Sequence, residues 1–425
     1  MINTKYSYCL FDFDGTIADT GEGIRRSVAY ALEKLDYEVP DDAALNRFIG
    51  PPLHDTFKAL FNMDDAQADQ AIEVYRERYV DIGLYEAHMY PGMGPLLRAL
   101  HERGAYVAVA TSKPTFMVER LAKHFCLEKY IDKISGVGLS RHAADKRDLL
   151  LGALPNDTDP ARVVMVGDRK FDIEAGKALG FTALGAGFGY APEGELQAAG
   201  ADLVFPDVRS LSEHLLNGSL PRGRFISMEG SDGCGKSTQI KLLKEWLENR
   251  GWEVVLTREP GGCSISERVR EVLLSLDSAG MSAECEALLY AASRVEHVRE
   301  VILPALNAGK FVICDRFLDS SIAYQAYGRE LGEDFIRLIN KPATDLAFPE
   351  ATLLLELDRE RAKKRLLAGA PADRLESERE DFFDRVRRGY DAVKAAEPAR
   401  VKPIDASRTI DEVFASVRAA IEAVL

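Results

Sequence analysis

Residues Gly230-Ser231-Asp232-Gly233-Cys234-Gly235-Lys236-Ser237 fit the pattern G-x-x-x-x-G-K-[ST]. The apolar run Arg224 to Met228 precedes them and a helical pattern, Thr238 to Trp246, follows. Strand, loop and helix in that order make a P-loop, and each part has a chemical task. The glycines let the backbone turn tightly, so its N–H groups face a polyphosphate. The start of the helix turns its positive dipole end to the same place. Lys236 sets a point charge on the phosphates, and Ser237 offers a hydroxyl to Mg²⁺.

That loop starts in the middle of the chain, and a second chemistry is written near the start. Tyr6 to Phe11 reads as a buried strand and runs into Asp12-Phe13-Asp14-Gly15-Thr16. Carboxylates at i and i+2 of an extended segment share a face. They repel unless a cation sits between them or one is protonated. Mg²⁺, with hard oxygen ligands, meets that need; an acidic turn after a strand is the plainer alternative. Two later strands end in a similar way. Ala105 to Ala110 leads to Thr111-Ser112-Lys113-Pro114, where a hydroxyl can hold a phosphate oxygen or cap the next helix. Arg162 to Val166 leads to Gly167-Asp168-Arg169-Lys170-Phe171-Asp172, again with acids at a strand's C-terminal end. Lys146, ahead of a helix at Asp148 to Ala153, reads by itself as a solvated surface charge.

The elements that must position these residues alternate between strand and helix. That alternation predicts parallel sheets with ligands at the strand C-termini. Residues 20–88 break it: Gly23 to Leu35, Leu53 to Phe61 and Ala66 to Val80 all carry helical spacing, which predicts a helical insertion over the first site. Phe48-Ile49-Gly50-Pro51-Pro52-Leu53 is a rigid turn within it. Asn217 to Gly223 is rich in breakers and marks a boundary between residues 1–216 and 224–425. In the second half, Glu253 to Thr257 is a strand ending in Arg258-Glu259-Pro260-Gly261-Gly262. A long helix, Ala283 to Ala308, follows and is interrupted by Pro304. On it Tyr290 and Arg294 stand at i and i+4 and share a face. An aromatic plane beside a guanidinium suits a planar base with an exocyclic oxygen; spacing alone favours a core tyrosine with a surface arginine. The strand Lys310 to Cys314 ends in Asp315-Arg316-Phe317. An acid there suits a group that holds a water bound to Mg²⁺, and Arg316 suits an acceptor phosphate; a structural ion pair between the two is the plainer alternative. A basic helix at Arg359 to Leu367, a tip at Gly369 to Arg374 and a helix at Glu380 to Ala396 come next.

Composition bounds the possibilities. A chain of 425 residues calls for two or three domains. With 46% hydrophobic and 29% charged residues it has the make-up of a soluble globular protein. The net charge of -14 argues against a broad nucleic-acid or anionic-membrane surface. There is no apolar run long enough to span a membrane, and the start lacks the layout of a signal peptide. Six scattered cysteines without a C-x-x-C pair read as reduced thiols, and a cytoplasmic location is expected.

The set Asp12-x-Asp14-Gly15-Thr16, Thr111, Lys146 and Gly167-Asp168-x-x-x-Asp172 resembles the haloacid dehalogenase-type phosphatases over about residues 5–216. The likeness is to the phosphoglycolate phosphatase-like and 5'-nucleotidase-like branch, with a small helical cap. It implies that Asp12 is a nucleophile forming an aspartyl-phosphate and that Asp14 is the general acid and base. Thr111 and Lys146 would hold the transferring phosphate. Mg²⁺ would be bound by Asp12, the Asp14 backbone carbonyl and Asp168, with Asp172 in support. Ser112 stands where many relatives carry Asn. The cap is the part that selects the substrate in this branch, here an unidentified small phosphorylated compound.

Residues 224–425 resemble thymidylate kinase. The match rests on Glu229-Gly230-x-Asp232-Gly233-x-Gly235-Lys236-Ser237-Thr238, Arg258-Glu259-Pro260-Gly261-Gly262 and Leu289-Tyr290-Ala291-Ala292-x-Arg294. It also rests on Asp315-Arg316-Phe317 with Ser321 and Tyr324-Gln325, and on Asp373-Arg374-x-Glu376. The resemblance implies that Tyr290 stacks on thymine, Arg294 reads its carbonyl oxygen, and Ser321 and Gln325 lie near the base. Tyr324 would crowd the 2' position and favour deoxyribose, and Asp232 would lie near the 3'-hydroxyl. Arg316 would hold the dTMP phosphate with Arg258 nearby. The loop from Gly230 to Thr238 would hold ATP, with Ser237 and Asp315 on the Mg²⁺ side. Some members carry an arginine beside the loop aspartate, where this chain has Gly233. Relatives with glycine there draw the charge from a mobile lid, whose often-arginine position is Gly369 here. Arg365 and Arg374 are then the candidates for stabilising the transferring phosphoryl.

Together these readings predict a two-domain α/β protein. A Rossmann-like parallel-sheet phosphatase core with a helical cap comes first. A P-loop NTPase-type sheet with flanking helices and a lid follows, joined by residues 217–223. The expected partners are ATP, dTMP and, through the kinase helices, a second copy of the chain. A kinase for UMP or CMP, or a phosphatase-shaped module with a regulatory role only, are the alternatives.

Overall fold

Strands β1 (Tyr8–Phe11), β4 (Tyr106–Pro114) and β6 (Val163–Gly167) are apolar on both faces, so they belong inside a sheet covered on each side. Their side chains alternate between two cores. Cys9, Phe11, Val107, Val109, Val164 and Val166 point to one, and Leu10, Ala108, Ala110, Val163 and Met165 to the other. In the computed structural model these strands form the centre of a parallel six-stranded sheet. With β5 (Lys133–Val137), β7 (Thr182–Ala186) and β8 (Leu203–Phe205), the order is β5-β4-β1-β6-β7-β8. The structure describes residues 4–51, 53–138, 145–218, 220–358, 360–362, 374 and 378–424.

A two-stranded antiparallel ribbon, β2 (Ala18–Asp19) with β3 (His88–Met89), frames the helical segment. Between the two lie helices Gly21–Lys34, Leu53–Phe61 and Asp65–Tyr79. The last begins in a capping box, in which Asp64 accepts from Gln67 N and the Gln67 side chain accepts from Asp64 N. Phe48, Phe57 and Tyr79 of this segment are buried in the same core as Phe11 and Val109.

A second parallel sheet has the order β10-β11-β9-β12-β13. Its strands are β9 (Arg224–Gly230), β10 (Val254–Arg258), β11 (Phe311–Asp315), β12 (Ala351–Glu356) and β13 (Val401–Asp405). The chain divides into two units, Met1–Pro221 with Glu248–Trp252, and Arg222–Leu247 with Glu253–Leu425. Among the described residues no helix is long and apolar enough to cross a membrane.

One expected element differs. The run Ala283 to Ala308 is α-helical from Ala283 to His297, turns as a π-helix over Val298–Ile302 and resumes as α over Leu303–Asn307. Pro304 has no N–H and its ring clashes with the carbonyl four residues back. The wider turn puts Pro304 into the first turn of a new helix, where neither defect matters.

Candidate active sites

In the first unit the chemistry gathers at the C-terminal ends of three neighbouring strands. Phe11 pairs with Val109 on one side and Val166 on the other, so Asp12 comes level with Ala110 and Gly167, with Thr111 and Asp168 one residue further along the neighbouring chains. Gly15 turns the chain back at a φ of 81°, and a Cβ there would come within 2.1 Å of the Asp168 carboxylate. The turn after the first strand is thus shaped to fit an acid on the third.

Asp12, Asp168 and Asp172 each bring a carboxylate oxygen to within 4.8 Å of the others. Lys146 reaches in from the first turn of helix Lys146–Ala153, its Nζ 2.7 Å from Asp12 and 2.6 Å from Asp172. The Lys146 side chain is thus buried against acids rather than solvated. Burial pushes the Asp12 carboxyl up to about 6 against the pull of Lys146. Burial, then Asp12 and Asp172, push Asp168 well above the ordinary range. Lys146 shows the converse: burial disfavours its charge, but Asp12 and Asp172 more than offset this and raise it. Packed acids that resist joint ionisation, all with hard oxygen donors, fit a divalent cation such as Mg²⁺.

Asp14 lies apart from that trio. It accepts from Thr20 Oγ1 at 2.7 Å and from Lys113 Nζ at 3.0 and 3.2 Å. Lys113 also donates to Tyr79 Oη, from the framed helical segment, at 2.5 Å. The sequence reading passed over Lys113 and Tyr79. Strand geometry held a signal for the first: Thr111 and Lys113 are i and i+2 on one strand and share the face that Thr111 presents to the site.

In the second unit the Gly-rich loop joins β9 to helix Lys236–Glu248. Gly230 has a φ of 134°, and a Cβ there would meet the Leu355 carbonyl at 2.5 Å. Lys236 is buried, its Nζ held by the carbonyls of Gly230 and Ser231 at 3.1 and 3.2 Å. Ser237 and Thr238 are exposed at the start of the helix. Asp315, at the end of β11, keeps a buried carboxylate oxygen with no hydrogen-bond partner, which suits a cation or its water.

A cavity of about 200 Å³ opens beside the loop. Tyr290, Arg294, Arg316, Ser321, Tyr324 and Gln325 line it together with Asp232. Arg316 stacks over Tyr324 at 5.3 Å and donates to Asp232 at 2.7 Å. Burial works against it, but Arg316 and Lys236 pull the Asp232 carboxyl down to about 2. Arg294 is the most enclosed group. The residue is 1% exposed, and its guanidinium donates to Glu259 (2.6 Å), Ser321 (3.0 Å), the Phe317 carbonyl (3.2 Å) and Asn340. The surface arginine that spacing favoured is therefore a buried one. Gln325 donates to buried Glu286 at 2.9 Å. Glu259 stands in the Arg258 to Gly262 motif with no role of its own expected there, and Glu286 in no motif, because charged residues on helices and turns usually face water.

Two of the expected site residues stand elsewhere. Arg258 forms a two-point pair with Glu267 at 3.0 Å. Arg374 is buried, donating to the Leu273 carbonyl at 2.8 Å with its Nη2 2.8 Å from Glu286. Arg365 lies outside the described residues, as do Gly369 and Asp373.

The folds and their strand-end clusters define a two-domain protein in which a haloacid dehalogenase-like hydrolase domain precedes a P-loop kinase domain. The family model for haloacid dehalogenase-like hydrolases matches residues 9–186, and that for thymidylate kinase matches residues 228–417. The thymidylate kinase of Pelotomaculum thermopropionicum is 50% identical over 205 residues, covering 48% of this chain and 95% of that protein. The thymidylate kinase of Symbiobacterium thermophilum is 48% identical over 201 residues, covering 47% and 94%. Through its second unit the chain belongs to the thymidylate kinase family. Among solved structures, a predicted phosphatase from Clostridium acetobutylicum is 35% identical, covering 49% of this chain and 97% of that one, with a TM-score of 0.45. Thymidylate kinase from Ehrlichia chaffeensis is also 35% identical, covering 48% and 99%, with a TM-score of 0.39.

Proposed function

We propose that the second unit moves the γ-phosphoryl of ATP to the phosphate of dTMP, giving dTDP and ADP. The observation that carries this is the contact between Arg316 and Asp232, which sets the cavity's phosphate-binding arginine directly against the Gly-rich loop. An acceptor phosphate on Arg316 then lies next to a polyphosphate on the loop, and the transfer gains from proximity. The acceptor oxygen bonds to the γ-phosphorus as the β–γ bridging bond breaks, and ADP leaves. Lys236 and the loop amides bind the donor phosphates. Ser237 and Asp315 would hold Mg²⁺, which neutralises charge on the polyphosphate. Tyr290, Arg294, Ser321 and Gln325 recognise the base, and Tyr324 limits the 2' position. Charge on the transferring group is assigned to Arg365 or to Arg374, the latter after it leaves its contact with Glu286. Ile265, Val272 and Leu288, each about half exposed on helices Ser264–Leu274 and Ala283–His297, support a homodimer through these helices.

The test is a panel of nucleoside monophosphates with ATP and Mg²⁺, followed by ADP formation. dTMP should be preferred over UMP and CMP, and chelation of the metal should stop turnover. A preference for UMP would overturn the roles given to Arg294 and Tyr324.

The first unit is assigned the hydrolysis of a small phosphate ester or nucleotide. Asp12 attacks phosphorus while the bond to the leaving oxygen breaks, and Asp14 protonates that oxygen. Asp14 then takes a proton from the water that cleaves the aspartyl-phosphate. Asp12, Asp168 and Asp172 would hold Mg²⁺, which offsets charge on the phosphoryl oxygens. Hydrolysis of dTMP would waste ATP, so the substrate is assigned to another class: an unwanted nucleotide, phosphoglycolate, pyrophosphate or a sugar phosphate. Lys113 keeps Asp14 aimed. Lys113→Met should lower phosphate release by about 10²-fold with the fold retained by circular dichroism; an unchanged rate would leave Lys113 no part in the reaction.

A further inference from the structure

Glu229 is the last acid before the Gly-rich loop and is fully buried at the end of β9. A carboxylate in that position requires donors, and three converge on it. Phe317 N donates to Oε1 at 2.7 Å. Ser320 Oγ and Tyr390 Oη donate to Oε2 at 2.5 and 3.2 Å. A hydroxyl has one proton, so a hydroxyl that donates to Glu229 turns its lone pairs elsewhere. On that other side stands Arg316, whose Nη1 donates to Ser320 Oγ at 3.1 Å and to Tyr390 Oη at 3.2 Å. Its Nη2 is on Asp232.

Arg316 needs such support. Its φ of 70° is a left-handed conformation that costs an arginine free energy and persists only when surroundings fix it. The neighbouring Phe317 N–H, locked on Glu229, anchors the chain just after the strained residue.

We infer that Glu229 is a positioning residue for the acceptor phosphate: acting through Ser320 and Tyr390, it aims the Arg316 guanidinium. This rests on the reading of Arg316 as the residue that holds that phosphate. Removing the carboxylate charge frees both hydroxyl protons to face Arg316, where they repel its N–H groups instead of accepting from them. Glu229→Gln keeps the shape and removes the direction.

The experiment measures initial rates of the full chain at varied dTMP and at varied ATP. The variants are Glu229→Gln, Ser320→Ala, Ser320→Thr and the double Glu229→Gln/Ser320→Ala. Both Glu229→Gln and Ser320→Ala should raise the dTMP KM about tenfold while the ATP KM moves less than about twofold. Ser320→Thr, which restores the hydroxyl, should return the dTMP KM close to wild type. The double variant should fall short of the product of its singles, since both act on one chain of contacts. An unchanged dTMP KM, equal rises in both KM values, or independent effects in the double variant would overturn the inference. If Glu229→Gln fails to fold, the Ser320 pair decides it alone. If wild type prefers another monophosphate, the dTMP reading fails, and the same comparison with that nucleotide still decides the role of Glu229.

Discussion

Asp12→Asn should abolish phosphate release by the first unit, by about 10³-fold or more, and leave ATP-dependent transfer by the second unchanged. Asparagine keeps the shape and loses the attacking oxygen. The protein should tolerate the change, because a buried carboxyl pushed up to about 6 already resists ionisation and Lys146 keeps Asp172 as a partner. The assay is phosphate release from nucleoside monophosphates, phosphoglycolate, pyrophosphate and sugar phosphates, with thermal unfolding alongside. Release from one narrow class, lost in the variant, would name the substrate. Full activity in the variant would remove Asp12 from the nucleophile's place. If wild type acts on none of these compounds and every activity survives in the variant, a regulatory role for the first unit becomes the better reading.

Arg294→Met should cost the second unit about 3–5 kcal/mol. The guanidinium satisfies Glu259, Ser321, Asn340 and the Phe317 carbonyl at once and packs over the Phe317 ring at 5.1 Å. Methionine fills much of the volume and leaves Glu259, 5% exposed, with the His297 ring nitrogen at 2.9 Å as its remaining side-chain partner. Glu259→Gln in the same chain should recover part of the loss, because the unpaired charge goes with it. Denaturant unfolding of the single and double variants reads both effects. A loss under about 1 kcal/mol would mean that water reaches Glu259 readily and that the site is less closed than its geometry.

The two Arg294 readings show where sequence patterns stop. Spacing put Tyr290 and Arg294 on one helix face, and they do line one cavity. Spacing also makes the arginine a surface residue, because the acid it pairs with, Glu259, is 35 residues away and opens the turn after β10. Spacing hides the pairs Lys113–Asp14 and Lys146–Asp12 for the same reason; it is the family resemblance that brings Lys146 to the site of Asp12. A strand-end acid can be read locally; the cation that crosses to it from another strand or helix cannot. The Gly-rich loop was legible because strand, loop and helix are consecutive. Strands β5, β7 and β8 carry little local signal: β5 and β8 are short, partly exposed runs, and β7, though buried after Thr182, is short and built mostly of small residues, so their pairing depends on neighbours already in place.

In each sheet the strand made first is an inner one. β1 lies between β4 and β6, and β9 lies between β11 and β12. As the chain leaves the ribosome, Tyr8 to Phe11 therefore waits for Tyr106 to pair one edge and for Val163 to pair the other. Arg224 likewise waits for Phe311. Such pairing is slow to close, and an apolar strand is exposed to wrong neighbours in the interval. All six strands of the first sheet are complete by Phe205, before any strand of the second has been synthesised. The nascent protein thus faces its aggregation hazard in two successive episodes, one per sheet.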